Sequence, residues 1–163
     1  MSALAACVLA IERVLPTSHG RQVKTTFLVS CVSKKQTRSA PAGELYVSEW
    51  FKKARAYVQA QGVPWFILSA EHGLLDPDRV VTPYEKTLNR ISVNERKAWA
   101  ARVMQQMDAV LPPAGRVVLL AGARYREFLM DYLKRRASTV ELPMEGLKIG
   151  EQLRWLKEHT PGG

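Results

Sequence analysis

The chain has 163 residues, 47% of them apolar, with 24 Lys and Arg against 15 Asp and Glu, a formal net charge of +9. That length supports one domain able to bury a core without metal or disulfide staples, and the apolar share excludes a disordered or fibrous chain. The positive excess points to a polyanionic partner, nucleic acid first. A basic protein with no such partner is the alternative, because net charge bears on association and not on fold.

The first residues, Met1 to Ile11, are apolar but lack a basic start and are interrupted by Glu12 and Arg13. They read as an N-terminal arm or short helix spanning 1–24 with its polar connector, not as a signal peptide or a membrane span. The domain proper is 25–159. Cys7 and Cys31 form neither a disulfide framework nor a zinc spacing, so a reducing, cytoplasmic setting is expected.

From Thr25 the pattern alternates. Thr25 to Ser30 is β-branched and apolar, a strand. A polar loop covers 31–43. Leu45 to Gln61 reads as a helix with Leu45, Trp50, Phe51, Ala54, Tyr57 and Val58 on its apolar stripe, stopped by Gly62 and Pro64. Trp65 to Ser69 is a second strand, followed by a long loop from Ala70 to about Asn89. Ser92 and Glu95 form a capping box that opens a helix running toward Leu111. Arg116 to Ala121 is a third strand. Gly122 turns the chain into a helix over about 123–136. Ser138 to Leu142 is a fourth strand, and Ile149 to His159 a last helix.

Strands alternating with helices predict an α/β fold: a three-layer α/β/α domain with a four-stranded parallel sheet. Right-handed crossovers bring all four strand ends to one rim, and ligands of open α/β sheets bind at that rim. The loops that follow the strands are therefore the candidates for chemistry.

Ser30, Ser33, Lys34, Lys35 and Arg38 follow the first strand. Small hydroxyls, backbone N–H groups and lysines there suit a phosphate; a solvated basic loop is the plainer reading, and no Walker spacing is present. Glu71, His72 and Asp76 follow the second strand. They are the residue types that orient water, stabilise a sugar cation or meet a departing base; Asp76 before Pro77 also suits a turn, and His72 a backbone hydrogen bond. Tyr84 after Pro83 offers a stacking face for a base, or packs on the domain. Gly122 and Arg124 suit an anion at a strand-to-helix turn, with a structural turn glycine as the alternative. No metal or cofactor is implied.

Several of these stretches together carry a resemblance. They are Val29-Ser30-Cys31-x-Ser33-Lys34-Lys35, Leu68-Ser69-Ala70-Glu71-His72-Gly73-Leu74-Leu75-Asp76-Pro77, Pro83-Tyr84, Ala121-Gly122-x-x-Tyr125-Arg126 and Gly146-Leu-x-Ile-Gly150. The series resembles small bacterial and phage proteins labelled as similar to the peroxide-stress protein YaaA. Their organisation is similar to that of the uracil-DNA-glycosylase superfamily, which implies a four-stranded parallel sheet of order 2-1-3-4. It also implies a protein that handles a nucleobase in DNA. In that family the position of Glu71 more often holds Lys, which favours Asp76 as the working carboxylate. The Gly-Gln-Asp-Pro-Tyr motif of uracil-DNA glycosylases is absent.

The expected function is a DNA glycosylase that flips a modified base, such as glucosylated hydroxymethylcytosine, and leaves an abasic site, in anti-phage defence. Ser33, Lys34, Lys35 and Arg124 would hold the backbone, Tyr84 or Tyr125 would stack on the base, Asp76 would orient water and His72 would meet the leaving base. The partner is DNA; no membrane or protein partner is implied. A nucleoside or nucleotide N-glycosidic hydrolase or transferase, and a non-catalytic nucleic-acid-binding module, are the alternatives.

Overall fold

A computed structural model describes residues 24–111, 113 and 115–162. The expected N-terminal arm lies outside that range except for Lys24, and Cys7 lies outside it too. In chain order the elements are β1 (Thr25–Ser30), β2 (Ala40–Pro41), α1 (Ala42–Leu45), α2 (Glu49–Ala60), β3 (Trp65–Ser69), β4 (Gly73–Leu75), β5 (Val80–Val81), a 3₁₀ turn (Leu88–Arg90), α3 (Val93–Val110), β6 (Arg116–Leu120), α4 (Ala123–Arg126), α5 (Met130–Arg136), β7 (Thr139–Glu141) and α6 (Ile149–His159).

The fold is mixed α/β around a five-stranded sheet of order β4-β3-β1-β6-β7. β1 pairs in parallel with β3 and β6, and β6 in parallel with β7. β4 is the departure from the expected four all-parallel strands. It pairs antiparallel with β3, Ile67 opposite Leu75 and Ser69 opposite Gly73. A second, two-stranded sheet joins β2 to β5.

Strands β1, β3 and β6 are buried almost throughout, which is why they read as continuous apolar runs and not as alternating ones. Phe27, Val29, Ile67, Leu68, Leu119 and Leu120 are each 2% exposed or less, and burying each such side chain contributes roughly 1.5–3 kcal/mol. Trp50 of α2 donates to Gln152 of α6 at 2.8 Å, and Tyr57 meets Trp155 edge-on, so α2 and α6 pack together. Tyr132 and Arg136 of α5 both hydrogen-bond Asp108 of α3, which couples those two helices. Arg116 grips Glu141 through two hydrogen bonds at 2.8 and 2.6 Å, tying the edge strand β7 to β6.

Two helices differ from their sequence reading. The helix expected from Leu45 is split: α1 ends at Leu45, Tyr46 is extended, and α2 starts after Ser48, whose hydroxyl accepts the Phe51 N–H. The helix expected over 123–136 is two short helices, broken at Glu127 to Leu129. The Ser92–Glu95 capping box is present, with both reciprocal hydrogen bonds, and opens α3. The loop expected over 70–89 contains β4, β5 and the 3₁₀ turn. No helix among the described residues is long and apolar enough to cross a membrane.

Candidate functional site

The parallel strands end together at the rim formed by Ser30, Ser69 and Leu120. What gathers there is set by how the chain leaves β3. Ser69 and Gly73 face each other across a tight turn, and Gly73 has φ +73°, a conformation that disfavours any residue with a Cβ. A Cβ at Gly73 would also collide with the side-chain oxygen of Gln106. The turn thus needs glycine twice over, and it holds Glu71 and His72 at the rim.

α3 clamps this turn from one helix face. Trp99 Nε1 donates to the Ser69 carbonyl at 2.8 Å, Arg102 to the Glu71 carbonyl at 2.8 Å, and Gln106 Nε2 to the His72 carbonyl at 3.0 Å. Gln106 Oε1 also accepts the Leu74 N–H at 2.8 Å. The spacing i, i+3, i+7 is what lets three side chains of one helix reach three carbonyls of the same turn.

Ser69 is fully buried. Its hydroxyl accepts the His72 N–H at 3.0 Å and lies 2.8 Å from the Tyr84 hydroxyl. The Tyr84 hydroxyl in turn lies 2.5 Å from that of Tyr46. Burial raises the pKa of both tyrosines above the ordinary phenol value, so both stay protonated, and Tyr84 can donate to one of its two hydroxyl neighbours while accepting from the other. The His72 ring stands edge-on to Tyr84, centroids 5.5 Å apart. Lys35 Nζ sits over the Tyr84 ring, 4.4 Å from its centroid, and donates to the Ser33 carbonyl at 3.1 Å.

Burial lowers the Lys35 pKa, opposed by Cys31 and Glu85. Burial also lowers the His72 pKa, helped by Arg79 and Arg102 and opposed by Glu71. The imidazole is therefore neutral near pH 7, able to accept a proton at one nitrogen and donate at the other.

The structure regroups the residues singled out in the sequence. Lys35, Glu71, His72 and Tyr84 meet at the rim; Asp76 does not. β4 runs antiparallel to β3 and carries the chain away, so Asp76 stands level with the start of β3, at the opposite end of the sheet. There Asp76 Oδ1 accepts the Asp78 N–H at 2.8 Å, a turn-forming bond. It lines an open cavity of about 500 Å³ with Trp65, Phe66 and Arg55. The expectation that Glu71, His72 and Asp76 stand together at the rim after the second strand is corrected accordingly. The segment returns through β5 and brings Tyr84 back to the rim.

The basic loop after β1 is also divided. Lys35 forms an isolated antiparallel bridge with Tyr46, and side chains alternate in such extended backbone. Lys35 faces Tyr84, whereas Lys34 lines a groove with Lys52, Lys53 and Lys157 of α2 and α6. Ser30 is buried; Ser33, Arg38 and Arg124 are exposed. Gly122 is exposed, and a Cβ there would meet nothing within 4 Å, so its glycine is not required by packing.

Tyr125 is corrected as a stacking residue. It is 7% exposed, its ring stands edge-on to Trp99, and its hydroxyl lies 3.4 Å from both Cys31 Sγ and the Leu88 N–H. No free face remains for a base. It instead bridges the loops after β1 and β6. Tyr46, Trp99, Arg102 and Gln106 were not singled out in the sequence; of these only the helix-face spacing of the last three was a usable signal. Among the described residues no group of three or more His, Cys, Asp or Glu is placed to hold a metal ion.

No curated protein and no solved structure matches the chain. One family model does, described as a family of unknown function, DUF6884, and it covers residues 26–158. That span takes in the described strands, save Thr25 at the start of β1, with the α3 clamp and the rim cluster, and the chain belongs to the DUF6884 family.

Proposed function

We propose that this chain is a DNA N-glycosylase that hydrolyses the bond between deoxyribose and a modified base, such as glucosylated hydroxymethylcytosine, leaving an abasic site, and that it serves anti-phage defence. The observation that carries the reading is the meeting of Lys35, Tyr46, Ser69, His72 and Tyr84, from separate segments, over the ends of β1 and β3. That is where open α/β sheets act on ligands. Support also comes from the net charge of +9, which favours a phosphate backbone. The run of parallel neighbours β3-β1-β6-β7 within the five-stranded sheet is a further support for the reading.

The chemistry follows from the side chains. Water adds to C1′ as the C1′–N bond breaks, and neutral His72 takes the proton that water loses. The departing base keeps the bonding electrons, and the Lys35 ammonium stabilises the negative charge that develops on it. The hydroxyl chain of Tyr46, Tyr84 and Ser69 holds Tyr84 and the His72 backbone in place. Asp76 takes no part, being at the far end of the sheet.

The test is direct. The protein is incubated with unmodified DNA and with phage DNA carrying hydroxymethylated or glucosylated cytosines, and abasic sites are counted with an aldehyde-reactive probe. Abasic sites on modified DNA alone are expected. DNA binding without abasic sites on any substrate would leave a non-catalytic binding module in its place.

A further inference from the structure

The rim holds a second feature that the rim cluster does not use. A crevice of about 210 Å³ opens at the ends of β6 and β7, between the loop at Gly122 and the turn at Glu145–Gly146, with Trp50 and Gln152 closing it from α2 and α6. Its lining is mixed: the side chains of Leu142 and Met144 lie beside Arg126, Glu145 and Gln152, and the exposed surface is more polar than apolar. It is smaller than the roughly 300–1,000 Å³ that holds a drug-sized ligand, which suits a single heterocycle.

Its polar groups are unequally satisfied. Trp50 Nε1 donates to Gln152 Oε1 at 2.8 Å, and Gln152 Nε2 donates to the Leu147 carbonyl at 2.8 Å. Arg126 is different. Its guanidinium has one long contact, Nη1 to Glu145 Oε1 at 3.4 Å, and its Nε is buried with no partner. A buried donor left unpaired is unfavourable, so a small rotation of Arg126 toward an arriving acceptor is favoured. A side chain 20% exposed has room for it.

We infer that this crevice receives a nucleobase, with Arg126 donating to a ring acceptor and Glu145 accepting from a neighbouring N–H. The ligand's identity rests on the glycosylase reading above; the site itself rests on the crevice and on Arg126. A phosphate fits less well, because it would face the Glu145 carboxylate beside the guanidinium. A neutral ring that carries an acceptor next to a donor satisfies both groups, with Leu142 and Met144 at hand for contact with the ring.

The full chain is titrated with 2′-deoxycytidine, 5-hydroxymethyl-2′-deoxycytidine and thymidine, and separately with deoxyribose 5-phosphate, followed by amide and indole NMR. Saturable shifts at the Trp50 indole, Gly122 and Gly146 are expected with the nucleosides and not with the sugar phosphate. Gly122→Leu is the fold-safe control. Its φ of −67° is ordinary and a Cβ there meets no atom within 4 Å, so the variant is expected to keep its melting temperature while adding bulk at a residue that lines the crevice. Gly122→Leu and Arg126→Met should each weaken nucleoside binding at least tenfold. Absence of nucleoside shifts at the crevice, stronger response to the sugar phosphate, or undiminished binding by Gly122→Leu would overturn the inference. Nucleoside binding without abasic-site formation refutes the glycosylase reading alone; abasic-site formation with no nucleoside shifts at the crevice refutes the crevice alone.

Discussion

The hydroxyls of Tyr46 and Tyr84 lie 2.5 Å apart, 38 residues apart in sequence, with the buried Ser69 hydroxyl 2.8 Å from Tyr84. Tyr46 is fully buried, so its hydroxyl depends on this contact. Tyr84→Phe strands both neighbours and is expected to destabilise the protein by about 1–3 kcal/mol, read by urea denaturation. A double-mutant cycle with Tyr46→Phe should give a coupling of about 0.5–3 kcal/mol; additive effects would mean the two hydroxyls do not interact.

Gly73→Ala places a Cβ on a residue with φ +73° and against the Gln106 side chain. Left-handed backbone alone costs roughly 1–2 kcal/mol for an L-residue. The substitution is expected to exceed that figure in thermal or urea unfolding. Because it moves the turn carrying His72, it should also lower activity.

His72 sets an acid-side dependence. The folded protein holds the imidazole proton less readily than the unfolded chain, whose histidine keeps its ordinary value of 6.5. Between the folded value and 6.5 the unfolded state binds more protons, so stability rises with pH through that window. The contribution is complete above about 6.5 and is lost as pH falls. NMR titration of His72 should give a midpoint below 6.5, and His72→Gln should flatten the loss of stability on acidification.

DNA affinity should depend on the rim and not on charge at large. Each lysine or arginine that neutralises a phosphate adds about −0.9 to the slope of log affinity against log salt. Arg38→Ala and Arg124→Ala, both at exposed residues, are each expected to reduce that slope by about one contact. Lys134 and Arg135, in the last turn of α5, should leave it unchanged. Equal effects from all four would mean diffuse, unlocalised binding.

The parallel strands were legible because β1, β3 and β6 are apolar runs bounded by Gly, Pro and polar loops, and because buried parallel strands do not alternate. The α3 start was legible because Ser92 and Glu95 carry their own local hydrogen bonds. β4 was not. Gly73-Leu74-Leu75 is too short for a periodic signal, and its strand character comes from pairing with β3. Missing it also misplaced Asp76, since a three-residue antiparallel strand moves that carboxylate from one end of the sheet to the other. Tyr46 escaped notice because its partners, Ser69 and Tyr84, are far along the chain. The break between α4 and α5 likewise has no Gly or Pro to announce it; there Arg96, 5% exposed, pairs with Glu127 at 2.7 Å.

The central claim is that chemistry sits with His72 at the rim and not with Asp76 at the opposite end of the sheet. The most direct measurement is abasic-site formation on glucosylated-cytosine DNA by wild type, His72→Ala and Asp76→Asn, each checked for folding by its melting temperature. General acid–base loss of about 10²–10⁴-fold is expected for His72→Ala, with Asp76→Asn within twofold of wild type. A folded Asp76→Asn protein that is inactive beside an active His72→Ala protein would contradict the account.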